Sequence, residues 1–144
     1  MILFDTSLLV YAVGEEHHLR GPCREAIRLA RDGDVRATTT VEVIQEFVHV
    51  RARRRGRADA AILARNYAVG LGPLLQPEAG DLLDGLVLFE GSTTIGSFDA
   101  VLGAAARRRG WALASTDRGF RAIDGLLHLD PAAASFYADL KMAG

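Results

Sequence analysis

Four short segments of the chain carry a carboxylate: Asp5 in MILFDTS, Glu46 in VIQEF, Asp99 in GSFDAVL and Asp117 in ALASTDRGF. Asp5 and Asp117 directly follow apolar runs that read as buried parallel strands, while Glu46 and Asp99 lie in runs of helical period. In an open α/β sheet, whatever sits just past the strand C-termini converges on one crevice. Acids gathered there repel one another and raise each other's pKa unless a cation neutralises them. The pattern therefore implies a divalent-metal site built from oxygen ligands. With no cysteine or histidine cluster beside these acids, a hard cation is expected, Mg²⁺ first and Mn²⁺ as the alternative, and zinc is not.

Each acid also has a purely structural reading. Asp5 can cap the helix that follows it, Asp99 can complement the positive end of its own helix, and Asp117 can form an Asx-turn ahead of Gly119. The second helix offers Glu42 and Glu46, one turn apart. Thr39-Thr40-Val41-Glu42 matches a capping box, which gives Glu42 a structural role. Glu46 has none, and a glutamate between Gln45 and Phe47, where a helix enters the core, is costly unless something cationic meets it. Glu46 is therefore the first choice, with Glu42 in reserve.

The elements that must position these acids follow from periodicity and punctuation. Ile2–Phe4 reads as a strand running into a helix through Tyr11, and Pro22 opens a helix that stops at Gly33. Val35–Thr38 is the second strand, and a long helix from about Val41 to Arg55 is broken by Gly56. Helices over Ala58–Ala68 and Glu78–Glu90 come next, with room for a short strand at Leu74–Leu75. Ser97 reads as the N-cap of a helix ending at Arg109, Trp111–Ser115 is the third strand, and Leu126–Leu129 the last. Pro131 opens a short terminal helix. Strands separated by helices indicate one α/β/α sandwich over residues 1–144, with a central parallel sheet.

Composition narrows the class. The 144 residues, 49% hydrophobic and 24% charged, suffice for one domain with a genuine core. No apolar run reaches the ~18 residues needed to span a bilayer, and the N-terminus lacks the basic region of a secretory signal, so no membrane role and a cytoplasmic location are expected. Cys23 is the single cysteine, which excludes an intrachain disulfide and a thiolate cluster. Lys141 is the only lysine, and arginines crowd into RARRRGR and into Arg107–Arg109. Each cluster is either a solvated helix end or a phosphate-binding rim, and Arg53, Arg54 and Arg55 are the chosen phosphate-contacting candidates. The histidines give no catalytic pair. His17 and His18 fall in a loop, His49 on the arginine-rich helix and His128 in a strand.

The order DTS near the N-terminus, an acid in the helix after the second strand, FDA opening a late helix and STDRGF after a strand resembles the PIN domain, and within it the VapC toxins of toxin–antitoxin pairs. The likeness runs from Ile2 to the last strand and is most specific from Phe98 to Phe120. It implies a metal-dependent endoribonuclease in which Asp5, Glu46, Asp99 and Asp117 match the family's acids. Thr6 or Ser7 matches the hydroxyl after the first Asp, and Thr116 the one before the last. It further implies a structured RNA substrate such as a transfer or ribosomal RNA, a cognate VapB-like antitoxin, and a homodimer. For that dimer, Ile62, Leu63, Tyr67 and Val69 are the apolar candidates, unless they complete the monomer's core. A PIN nuclease that processes RNA outside any toxin pair, and a PIN domain that binds without cutting, are the alternatives.

Overall fold

The computed structural model describes residues 1–144. Four short strands form one parallel sheet in the order β2-β1-β3-β4: β1 (Ile2–Phe4), β2 (Ala37–Thr38), β3 (Ala112–Ala114) and β4 (His128–Leu129). Every residue of β1 and β3 is buried, as helices on both faces require. Register pairs Ile2 with Ala37 on one side of β1 and with Ala112 on the other. The chain leaves β1 toward β2 and later returns to the opposite side at β3, so the topological switch point lies between β1 and β3.

Seven helices cover the sheet: α1 (Thr6–Ala12), α2 (Arg20–Asp32), α3 (Val41–Arg55), α4 (Arg57–Gly70), α5 (Ala79–Gly91), α6 (Ser97–Arg108) and α7 (Phe136–Ala143). α1 packs on α2 and α3, α3 on α4, and α7 on α2, while α5 and α6 pair closely with each other. The core joins Phe4, Leu8, Phe47, Leu113, Phe120 and Phe136 from both groups of helices and the sheet. Cys23 is buried within it, and burial pushes its thiol up to about 12, which makes it inert.

The helix positions follow the periodicity, with shifts at the ends. α2 begins at Arg20, which places Pro22 at its third residue rather than its first. Gly96, not Ser97, precedes the first turn of α6. β2 keeps two residues because Val35 and Arg36 make no ladder pairs, and Leu75 forms a single bridge to Thr40 instead of a strand. The terminal helix starts at Phe136, five residues beyond Pro131. Gly56 carries φ +89° between α3 and α4, a conformation that lets the two helices fold back on each other. Gly85 serves close packing instead. A Cβ there would lie 2.7 Å from Val101 Cα and 2.9 Å from Val101 N, so α5 and α6 touch backbone to backbone. No helix is long and apolar enough to cross a membrane.

Candidate active site

Asp5 leaves the end of β1 and caps α1, so the structural reading of this residue holds together with the chemical one. Its Oδ2 accepts from Ser7 Oγ and Ser115 Oγ, both at 2.7 Å, and from Ser7 N at 3.3 Å. Ser115, at the end of β3, is fully buried; its Oγ also accepts from Asp117 N at 2.9 Å. One hydroxyl thus ties the first acid to the last across the switch point. His128 braces that strand end, its Nε2 lying 2.9 Å from Ser115 O; a carbonyl only accepts, so Nε2 carries the proton. Ser115 is not among the residues that sequence reasoning selects. A polar residue ending an otherwise apolar buried strand, two positions before Asp117, is the signal that marks it.

Asp117 opens a 3₁₀ turn (Arg118–Ala122) and accepts from Gly119 N at 2.7 Å through Oδ1. Thr116 takes part through its backbone N–H, donated to Ser7 Oγ at 3.1 Å, and not through its hydroxyl. Thr6 Oγ1 donates to Glu46 Oε2, which joins α1 to α3. Both residues after Asp5 are therefore engaged, with different acids. Asp99 is the third residue of α6 and accepts no protein hydrogen bond. Burial, then the charges of Asp5, Asp117 and Glu46, push its carboxyl up to about 7.

All four acids line one cavity of about 900 Å³. Glu42 does not. It is the second residue of α3, whose cap is Thr40 Oγ1 on Val43 N, so the Thr39–Glu42 capping box does not form. Its Oε2 is buried without a partner. The box signature appears instead on α5, between Glu78 and Asp81.

Arginines approach this cavity without neutralising it. Arg51 pairs with Asp59 at 2.5 Å and donates to Val13 O, and Arg55 reaches Glu15 at 3.3 Å. Arg54 lines the cavity wall, whereas Arg53 is exposed and outside it. The second cluster is structural in part: Arg108 and Arg109 hold the fully buried Asp81 at 3.1 and 2.8 Å. Burial alone would raise Asp81, but the Arg109 hydrogen bond, the Glu78 N–H and both guanidinium charges keep it below the usual carboxylate range.

The donor set fits a hard divalent cation. Every candidate ligand atom is a carboxylate oxygen; Asp5 Oδ1, Glu46 Oε1, Asp117 Oδ2 and both oxygens of Asp99 accept no protein hydrogen bond, and no guanidinium pairs with them. No three of the side chains already converge tightly enough to cage one ion, so ligation requires rotation about the soft terminal torsions of Asp99 and Glu46.

A PIN domain family model matches residues 2–126. The chain is 46% identical to Ribonuclease VapC7 of Mycobacterium tuberculosis over 139 residues, which covers 93% of this chain and 94% of that protein. It is 30% identical to Ribonuclease VapC23 of the same species over 112 residues, 76% of this chain and 86% of that one. Its fold also matches a chain in the crystal structure of VapBC2 from Rickettsia felis bound to a DNA fragment from their promoter. The TM-score there is 0.71 at 15% identity, covering 90% of this chain and 98% of the other.

Proposed function

Since the chain belongs to the PIN domain family, we propose that it is a Mg²⁺- or Mn²⁺-dependent endoribonuclease, the toxin of a type II toxin–antitoxin pair acting in the cytoplasm on a structured RNA such as a transfer or ribosomal RNA. The observation that carries this reading is the quartet itself: four carboxylates from four elements share one cavity without a guanidinium partner, and burial together with the field of the other three pushes Asp99 up to about 7.

Asp5 and Asp99 would hold the ion; Ser7 and Ser115 occupy Asp5 Oδ2 and leave its Oδ1 free. Glu46 and Asp117 complete the acidic pocket, binding a second ion or orienting the attacking water. Ser7 and Ser115 fix the Asp5 carboxylate before the reaction, and Thr6 tethers Glu46 at the cavity wall. A divalent ion held there would supply Lewis acidity toward a phosphate oxygen and lower the pKa of a water. Arg54 and Arg55 on the cavity wall receive the phosphates that flank the scissile one. α7 lies beyond the matched span and belongs to the same domain, because Phe136 and Leu140 are in the common core.

The VapBC assembly supports a VapB-like antitoxin as partner, and the unpaired acids suit a basic side chain from it, most simply an arginine. A homodimer belongs to the same proposal. Tyr67 is buried in the monomer's core and Leu63 is partly buried against it, while Ile62 and Val69 are exposed. The outer face of α5 is the better surface, with Leu82, Leu86 and Phe89 on one stripe and Leu83 and Val87 beside it, all exposed. The test is cleavage of cellular RNA by purified protein. Cutting is expected with Mg²⁺ or Mn²⁺ and none in EDTA, with Asp5→Asn and Asp99→Asn inactive but folded. Undiminished cutting in EDTA overturns the metal reading.

A further inference from the structure

Beside the acids, the cavity carries a feature that phosphodiester cleavage does not need. Tyr11, at the end of α1, His17 and His18 form a run of rings. Centroids lie 4.8 Å apart for Tyr11–His17 and 4.2 Å for His17–His18, with interplanar angles of 32° and 35°. Tyr11 and His17 line the same cavity as Asp5, Glu46 and Asp99. His17 is not a loose loop side chain. Its Nδ1 accepts from Leu19 N at 3.2 Å, which fixes the ring and leaves Nε2–H as an outward donor.

We infer that this ring stack is a platform for one unpaired nucleobase of the substrate, next to the scissile phosphate. The inference rests on the ribonuclease reading above and names the substrate feature that the site selects. Three observations carry it together. Ser7 and Tyr11 are one turn apart on α1, so the rings stand about 9 Å along the helix from Asp5. Glu46, Val50 and Arg54 form the facing wall along α3, which leads from the acids to a guanidinium with no carboxylate partner. The acidic residues of the intervening loop are paired, Glu15 with Arg55 at 3.3 Å and Glu16 with Arg20 at 3.6 Å. A strand leaving the acids therefore meets the aromatic side chains of Tyr11 and His17 on one side and a free cation on the other.

That pairing suits a single-stranded nucleotide, whose base stacks on rings while its phosphate meets arginine. A base inside a duplex has both faces covered and cannot use it. The site then selects an unpaired residue, in a loop or a bulge, over helical RNA.

The test uses a 5′-labelled RNA dodecamer, free or annealed to its complement, and a set of the same strand with an abasic residue moved along it. Binding is measured in EDTA and single-turnover cleavage in Mg²⁺. With wild-type protein, one abasic position is expected to weaken binding at least five-fold. In Tyr11→Leu and in His17→Ala that positional penalty disappears and free-strand affinity falls by the same factor. Tyr11→Phe, which keeps the ring, restores both. His17 is exposed, so its replacement leaves the fold intact even if Tyr11→Leu does not. An unchanged abasic penalty in His17→Ala, or equal losses on free and annealed strands, overturns the platform. If the variants bind and cut RNA normally but are no longer silenced by a co-expressed antitoxin, the rings dock a protein, and the RNA inference is wrong. A wild-type protein that neither binds nor cuts any RNA defeats the ribonuclease reading itself, an outcome separate from failure of the rings alone.

Discussion

Replacing Asp99 by asparagine removes one charge from the quartet without changing side-chain volume, and in metal-free protein it should stabilise the fold. The carboxyl is pushed up from 3.8 to about 7, by burial first and then by Asp5, Asp117 and Glu46. Between those values the native state holds a proton that the unfolded state has released, so stability falls as pH rises and levels off above about 7. A difference of roughly three powers of ten in proton affinity corresponds to about 4 kcal/mol. Against it, loss of a negative charge in the first turn of α6 costs about 0.5–1 kcal/mol. The expected net gain in EDTA at pH 8 is about 3 kcal/mol, read from urea unfolding of both proteins, and it should shrink to almost nothing by pH 4. With saturating Mg²⁺ the order reverses, because wild type gains binding energy that the variant has lost. If asparagine is neutral or harmful at pH 8 in EDTA, the four acids do not share a field and the case for a cation collapses.

Other expectations follow from the same geometry. Glu46→Gln should lower the rate of RNA cleavage at least a hundred-fold and Glu42→Gln less than ten-fold, since only Glu46 lines the cavity; equal losses would return Glu42 to the site. Removing charge at Arg54 should flatten the salt dependence of RNA binding by about one counterion while Arg53→Gln changes it little, measured by titration at several salt concentrations. Gly85→Ala should cost about 1–3 kcal/mol in urea unfolding by forcing α5 away from Val101; a neutral result would mean the helices pack less closely than described. Asp81→Asn should cost about 2 kcal/mol or more, because Arg108 and Arg109 lose the charge they share and one of the two accepting oxygens becomes an NH2 donor. For this variant the stability difference should narrow in acid, where the wild-type carboxyl is itself protonated.

Asp5, Asp99 and Asp117 are legible in the sequence because each lies at an element boundary, and boundaries past apolar strands lead to the sheet's crevice. Glu46 is separable from Glu42 by its apolar setting, although the capping box that sets Glu42 aside does not form: Thr40, one residue later, is the cap. Ser115 is easily passed over because the local pattern marks only a polar strand end, while its bond to Asp5 is made across strands and its bond to Asp117 within its own turn. The arginines illustrate a second limit. Arg51, Arg53, Arg54 and Arg55 are alike in composition and nearly adjacent, yet helix phase puts three of them on the cavity wall and leaves Arg53 a solvated charge, while Asp59 ties down Arg51 alone. Similarly, four apolar residues of α4 read alike, while the bond from Tyr67 Oη to Leu9 O places one of them inside.

The bare approach of Gly85 to Val101 makes α5 and α6 one stiff strut. One end of that strut presents Asp99 to the cleft; its outer side presents the leucine stripe to whatever docks there. Because the contact is main chain against main chain, little deformable side-chain packing lies between the two surfaces. The stripe can therefore change its residues, and with them its partner, while the acid keeps its place. In a pair of chains joined through α5, the two clefts would be held at a fixed spacing, as on a caliper.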